Sequence, residues 1–109
     1  MNRKKRVAFE RVARQYRNYQ RELAMLKKDE HQQEWQTMAM QALEENIAMT
    51  ERTLSQIRLK HGEKAEQLTR EWLIERKTQA EIASEAGISE RHLRRLLEAY
   101  LNDALGEDE

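Results

Sequence analysis

The chain has no cysteine, no proline and only three glycines among its 109 residues. Without cysteine there is no disulfide to staple a small fold and no zinc signature of the usual spacing. Without proline the helices lack their strongest stop signal, so boundaries must come from glycine, caps and charge. Aromatic residues make up 6% of the sequence, and 39% is hydrophobic against 37% charged. That balance suits narrow apolar seams between helices rather than a thick core. No stretch is long and apolar enough to span a bilayer, and the basic start "MNRKKR" leads into an amphipathic segment rather than a signal peptide's apolar run. We expect a soluble, cytoplasmic, all-α protein with no membrane contact: one small domain, or a small domain carrying a helical extension.

The net charge of zero conceals a segregation. Residues 1–28 hold ten Lys/Arg against Glu10 and Glu22, or +8, and residues 29–109 hold ten Lys/Arg against eighteen acids, or −8. A basic end can meet phosphate, although helical charge runs are commonly just a solvated face. Arg3, Lys4, Lys5 and Arg6 are the candidate phosphate contacts there.

Apolar residues from Phe9 step by three and four through Val12, Tyr16, Tyr19, Leu23 and Leu26, a heptad seam. A second seam runs Met40, Leu43, Ile47, Thr50, Leu54, Ile57 and stops near Gly62. Between them lies the polar interval "KKDEHQQEWQT". Either the chain turns there and the two helices pack as a hairpin, or one long helix continues and pairs with a second chain. We expect the hairpin, which buries both seams through short-range contacts. A homodimer is expected in either case. Trp35 belongs near the hairpin tip or a dimer contact.

The expected organisation is a coiled-coil-like segment over 1–61, a three-helix unit over 62–105 and an acidic tail over 106–109. Gly62 follows the second seam as a helix-ending glycine. The helix "EKAEQLTREWLIERK" then carries Ala65, Leu68, Trp72 and Leu73 on one side. Thr78 and Glu81 have the spacing of a capping box, so another helix should start at Thr78.

In "QAEIASEAGISERHLRRLLE", residues 79–98, Ile82, Ala83, Ala86, Gly87, Ile88, Leu93 and Leu96 fall at the positions of a helix-turn-helix. Alanine permits close helix approach, glycine takes positive φ in the tight turn, and the apolar set joins the pair. Ser89 is a good N-cap for the second helix. That helix should bury Leu93, Leu96, Leu97, Tyr100 and Leu101, turning Arg91, Arg95, Glu98 and Asn102 outward with His92 and Arg94 at the flank. Ser89 and Glu90 sit at the helix start, the part that enters a major groove in this motif. Arginine can grip guanine O6 and N7 or clamp a phosphate. Glu90 can accept from cytosine N4 or orient Arg94 through an i, i+4 pair. The candidate DNA-binding set is Thr78, Gln79, Ser89, Glu90, Arg91, His92, Arg94 and Arg95, on double-stranded DNA.

The stretch "LTREWLIERKTQAEIASEAGISERHLRRLLEAYL", residues 68–101, resembles the sigma-factor domain that reads the promoter −35 element. With the helical front added, the whole layout resembles phage and prophage transcriptional regulators of the RinA/ArpU late-gene type. The resemblance implies a sequence-specific transcription regulator acting near a promoter, in company with RNA polymerase and therefore at the nucleoid.

Two rivals stand beside it. One is an assembly or adaptor protein, including a small-terminase-like role, that uses the coiled coil to hold a partner. The other is a bZIP-like protein in which "NRKKRVAFERVARQYRNYQ" is the main DNA contact. Catalysis is not expected: His31, His61 and His92 are scattered, no phosphate-binding glycine loop is present, and no motif implies a metal or cofactor.

Overall fold

The computed structural model describes residues 3–106, which form six α-helices and no strand: α1 (Arg3–Arg14), α2 (Tyr16–Lys28), α3 (Glu34–His61), α4 (Glu63–Leu73), α5 (Gln79–Ala86) and α6 (Glu90–Leu105). The protein is all-α. Of the acidic tail, only Gly106 lies within the described residues.

The seam expected as one run from Phe9 to Leu26 is cut at Gln15, whose φ of −95° and ψ of 6° leave the helical region. The Gln15 N–H donates to the Val12 carbonyl at 3.0 Å, one residue tighter than an α-helix. Neither glycine nor proline causes this break. Before it, Phe9 and Ala13 turn into the core; after it, the Tyr16 hydroxyl donates to Glu51 on α3 at 2.5 Å. The helix is interrupted between the two contacts. Val12, Tyr16, Tyr19, Leu23 and Leu26 are accordingly half-buried, and α2 has no buried residue.

The polar interval is a reversal over residues 29–33, after which α3 returns along α2. Glutamine does the capping that serine or aspartate usually does. The Gln33 N–H donates to Gln36 Oε1 at 2.6 Å in a reciprocal box, and Gln32 Nε2 donates to the Leu26 carbonyl at 3.2 Å. The Asp29 carboxylate accepts from Gln36 Nε2 and from the His31 N–H. These two bonds hold its pKa below the ordinary 3.8.

Along α3, Leu43, Thr50, Leu54 and Ile57 are buried, and Met40 and Ile47 half-buried. The buried Thr50, Thr53 and Thr69 hydroxyls donate to carbonyls four residues back, so none is orphaned. Gly62, at φ 96°, is the single residue between α3 and α4. Arg58 spans that corner to Glu63 at 2.6 Å.

One core cluster joins Phe9 and Ala13 of α1, Leu54 and Ile57 of α3, Ala65 and Leu73 of α4, Ile74, and Leu101 of α6. It draws on both sides of residue 62, so the segments expected as 1–61 and 62–105 share a core. A second cluster holds Leu68, Ile82, Ala83, Leu93 and Leu97. Trp72 and Tyr100 pack against both clusters and connect them. On α6, Leu93, Leu97 and Leu101 are fully buried, but Leu96 and Tyr100, expected in the core, are half-buried because the stripe is one residue narrower than the apolar run.

Tyr16, Glu51, Arg70 and Glu66 form a chain of polar contacts linking α2, α3 and α4, with Arg70 3.0 Å from both carboxylates. Burial raises the Glu51 pKa, but the bonds from Tyr16 and Arg70, with the Arg70 charge, outweigh it and hold the carboxyl below the ordinary 4.5. Burial and the same bond push the Tyr16 phenol up to about 12. A carboxyl whose pKa is lowered by folding stabilises the fold above its unfolded value and loses that contribution as pH falls through the folded value. Tyr16→Phe should therefore cost about 1 kcal/mol at neutral pH, less where solvent screens the pair. The deficit should shrink below pH 4.5 as Glu51 protonates. Urea denaturation of both proteins at neutral and acidic pH measures it; a deficit that does not depend on pH contradicts the assignment.

Candidate nucleic-acid interface

α5 and α6 are joined by a turn with local determinants at each position. Thr78 Oγ1 accepts from the Glu81 N–H at 3.1 Å and starts α5. Gly87, at φ 72° and ψ 30°, ends it in the left-handed conformation. The Ile88 N–H donates to the Ala83 carbonyl and the Gly87 N–H to the Ser84 carbonyl, the paired bonds of a Schellman motif. Ile88 packs on the second cluster. Ser89 Oγ then accepts from the His92 N–H at 3.1 Å and starts α6. Two helices thus change direction within three residues, and Leu93 and Leu97 of the second pack on Ile82 and Ala83 of the first.

This packing fixes what α6 presents. Ser89, Glu90, Arg91, His92, Arg94 and Arg95 are all exposed, as is Thr78; Gln79 is half-buried. Among the described residues, Arg91, Arg94 and Arg95 form no ion pair, and no pair joins Glu90 to Arg94. Arg94 and Gln79 line one cleft of about 180 Å³ between α1, α4, α5 and α6, together with Arg6, Glu10 and Glu98. Glu98 and Asn102, expected outward, are half-buried. No protein-family model matches the chain, and no curated protein or solved structure is similar to it.

The basic start of the chain serves the fold more than was expected. Arg6 lies 3.6 Å from Glu10 and 3.5 Å from Glu98, and its Nη1 is buried without a hydrogen bond, so its contact with Glu98 is ionic only. Burial raises the Glu10 pKa in spite of Arg6 and Arg14 nearby. Lys5 Nζ donates to the Leu105 carbonyl at 3.1 Å. Fifteen helical residues separate Leu105 from Glu90, about 22 Å at the usual rise, so α1 begins beside the end of α6 remote from the arginines. Arg3 and Lys4 are exposed on that first turn. With Phe9 and Ala13 buried, α1 is a packed element and not a free basic helix.

Two contacts near the site carried no sequence signal. The Arg14 guanidinium stands 5.4 Å over the Trp72 ring, a cation–π contact. Lys77 reaches Glu71 of α4 at 3.4 Å and Glu85 of α5 at 3.3 Å, bracing the link between those helices. Within that link Arg76, not Lys77 or a glycine, takes positive φ, at 61°.

A Cβ added at Gly87 meets nothing within 4 Å, so the cost of a side chain there is backbone strain alone. Gly87→Ala should destabilise the protein by about 1–2 kcal/mol. An unchanged thermal midpoint contradicts the left-handed turn.

Proposed function

We propose that the chain is a sequence-specific regulator of transcription that binds duplex DNA through a helix-turn-helix formed by α4, α5 and α6, with α6 as the helix that enters the major groove. One observation carries the proposal: Arg91, Arg94 and Arg95 are exposed at the capped start of α6 and form no ion pair among the described residues, whereas Arg6, Arg58, Arg70 and Lys77 are each engaged by carboxylates. Three guanidiniums left free on one helical face are donors without acceptors. Guanine edges and phosphates are acceptors of the matching geometry.

The neighbouring groups suit the same surface. The free N–H groups at the start of α5, beside Thr78 and Gln79, can take a backbone phosphate. Ser89, Glu90 and His92 lie on the first turn of α6 within reach of base edges. Lys5 and Arg6 are engaged in the fold, which leaves Arg3 and Lys4 for outlying phosphates beside the far end of α6. The likeness of residues 68–101 to sigma-factor −35 readers supports a promoter-proximal role. The RinA/ArpU-like layout supports a phage or prophage context, with RNA polymerase as the protein partner.

Selection of bound duplexes from a randomised pool, with affinity then followed across salt, tests the proposal. An enriched motif is expected. Arg91→Glu, Arg94→Glu and Arg95→Glu should each weaken binding to that motif by about tenfold or more with the fold intact, since a bidentate contact is worth ~1–3 kcal/mol. Neutralising Arg3 and Lys4 should lower affinity equally for all sequences and flatten the salt slope. Affinity that survives all three reversals defeats the assignment of α6. Weak binding with a steep salt slope and no motif favours the adaptor role instead.

A further inference from the structure

Apart from Tyr16, neither core cluster includes a residue of α2, and none comes from α3 before Met49. These parts of the two helices form an arm beyond the core. Three of the large apolar side chains left most exposed lie on it: Met25 at 71%, Trp35 at 60% and Met38 at 65%. Glu22, Met25 and Leu26 of α2, with Trp35, Ala39, Ala42, Leu43 and Asn46 of α3, line an open groove of about 480 Å³ between the two helices. A solvent-facing apolar patch of this kind marks a contact surface. The charges beside it identify what covers it.

On α2, Arg17, Arg21 and Lys28 recur at i, i+4 and i+11 and form one stripe beside Met25. On α3, Glu34 and Glu45 recur at i and i+11 beside Met38, and no Lys or Arg occurs from Glu34 to Glu51. Arg17, Lys28, Glu34 and Glu45 are exposed, and none forms an ion pair among the described residues. Outside the groove, whose own charged lining residue is Glu22, the flank of α2 is thus a basic rim and the flank of α3 an acidic one. The groove's complement is an apolar face with the same two rims exchanged.

We propose that the occupant is a second copy of this chain, related by a two-fold axis running along the arm. That rotation sets α2 against the second copy's α3 and keeps heights along the arm unchanged. The heights agree: about the turn at His31, Lys28 and Glu34 are each three residues away, and Arg17 and Glu45 are each fourteen away. Lys28 therefore faces Glu34 of the second copy, and Arg17 faces its Glu45. The groove closes as a four-helix bundle with antiparallel neighbours. A two-fold axis across the arm would instead set α2 against α2, with like charges opposed. This pairing does not depend on DNA binding and is measured without DNA.

Sedimentation equilibrium across micromolar concentrations tests it with two double variants of exposed residues, Arg17→Glu with Lys28→Glu, and Glu34→Lys with Glu45→Lys. The unaltered protein should dimerise. Each variant alone opposes like charges and should raise the dissociation constant at least about tenfold. Mixed in equal amounts, the two should restore dimers to near the original affinity, because the reversed rims again match. Circular dichroism checks that each variant folds. Met25→Glu, in the middle of the face, provides an independent disruption and should also raise the dissociation constant. A monomeric unaltered protein overturns the proposal, as do variants that dimerise normally alone or a mixture that associates no better than its components.

Discussion

The burial of Leu93, Leu97 and Leu101 along one line of α6 is the constraint from which the rest of the surface follows. A helix has only one face to give to a narrow core. Once these leucines are committed to the two clusters, Arg91, Arg94 and Arg95 must project away from them. Trp72 and Tyr100 extend the constraint by packing on both clusters, so α5 cannot shift against α6 without disturbing the contacts of α1 and α3. The orientation of the exposed arginines is a property of the core.

The cations divide between two roles. Arg6, Arg58, Arg70 and Lys77 each lie within 4 Å of two carboxylates, and in each case at least one belongs to another helix. Exposed pairs of this kind contribute little stability one by one, but they fix how helices meet where few apolar residues are available. Where the core is thin, at the α3–α4 corner and in the α4–α5 link, charge takes over its positioning role. The N-terminal excess of +8 is therefore a poor guide to free positive surface, because part of it is neutralised within the fold.

What was legible in the sequence was local. Gly87, Thr78 and Ser89 act through bonds to residues no more than five positions away, and their spacing alone located the starts of α5 and α6. The second seam was legible because Leu43, Thr50, Leu54 and Ile57 lie on one uninterrupted helix. The break at Gln15 was not, because no glycine, proline or cap residue marks it and the partner of the adjacent Tyr16 is Glu51, thirty-five residues away. Nor was the packing of α1 against α6: the heptad spacing of Phe9 is the same whether its partner is a coiled coil or a globular core. The Gln33–Gln36 cap escaped because glutamine is seldom a cap, and Arg76 gave no sign of positive φ.

α3 belongs to both halves of the molecule. Its first turns build the arm, and Leu54 and Ile57 near its end lie in the core beneath α6. Over 28 residues it has neither glycine nor proline, which at the usual rise is about 42 Å of continuous helix. His61 binds Asp103 at 2.8 Å and Lys60 the Asp103 carbonyl at 2.6 Å, joining the end of that helix to α6 itself. Whatever pairs with the arm is thereby connected to the arginine-bearing helix through a rigid element rather than a linker. Under the proposed pairing, two copies joined at their arms would hold their α6 helices at one spacing, and under the proposed function that spacing would select the half-site separation on a duplex. A flexible tether would tolerate many separations, whereas a continuous helix between the arm and α6 would tolerate few. The absence of proline and the scarcity of glycine, which made the helix boundaries hard to read, are also what make that connection stiff.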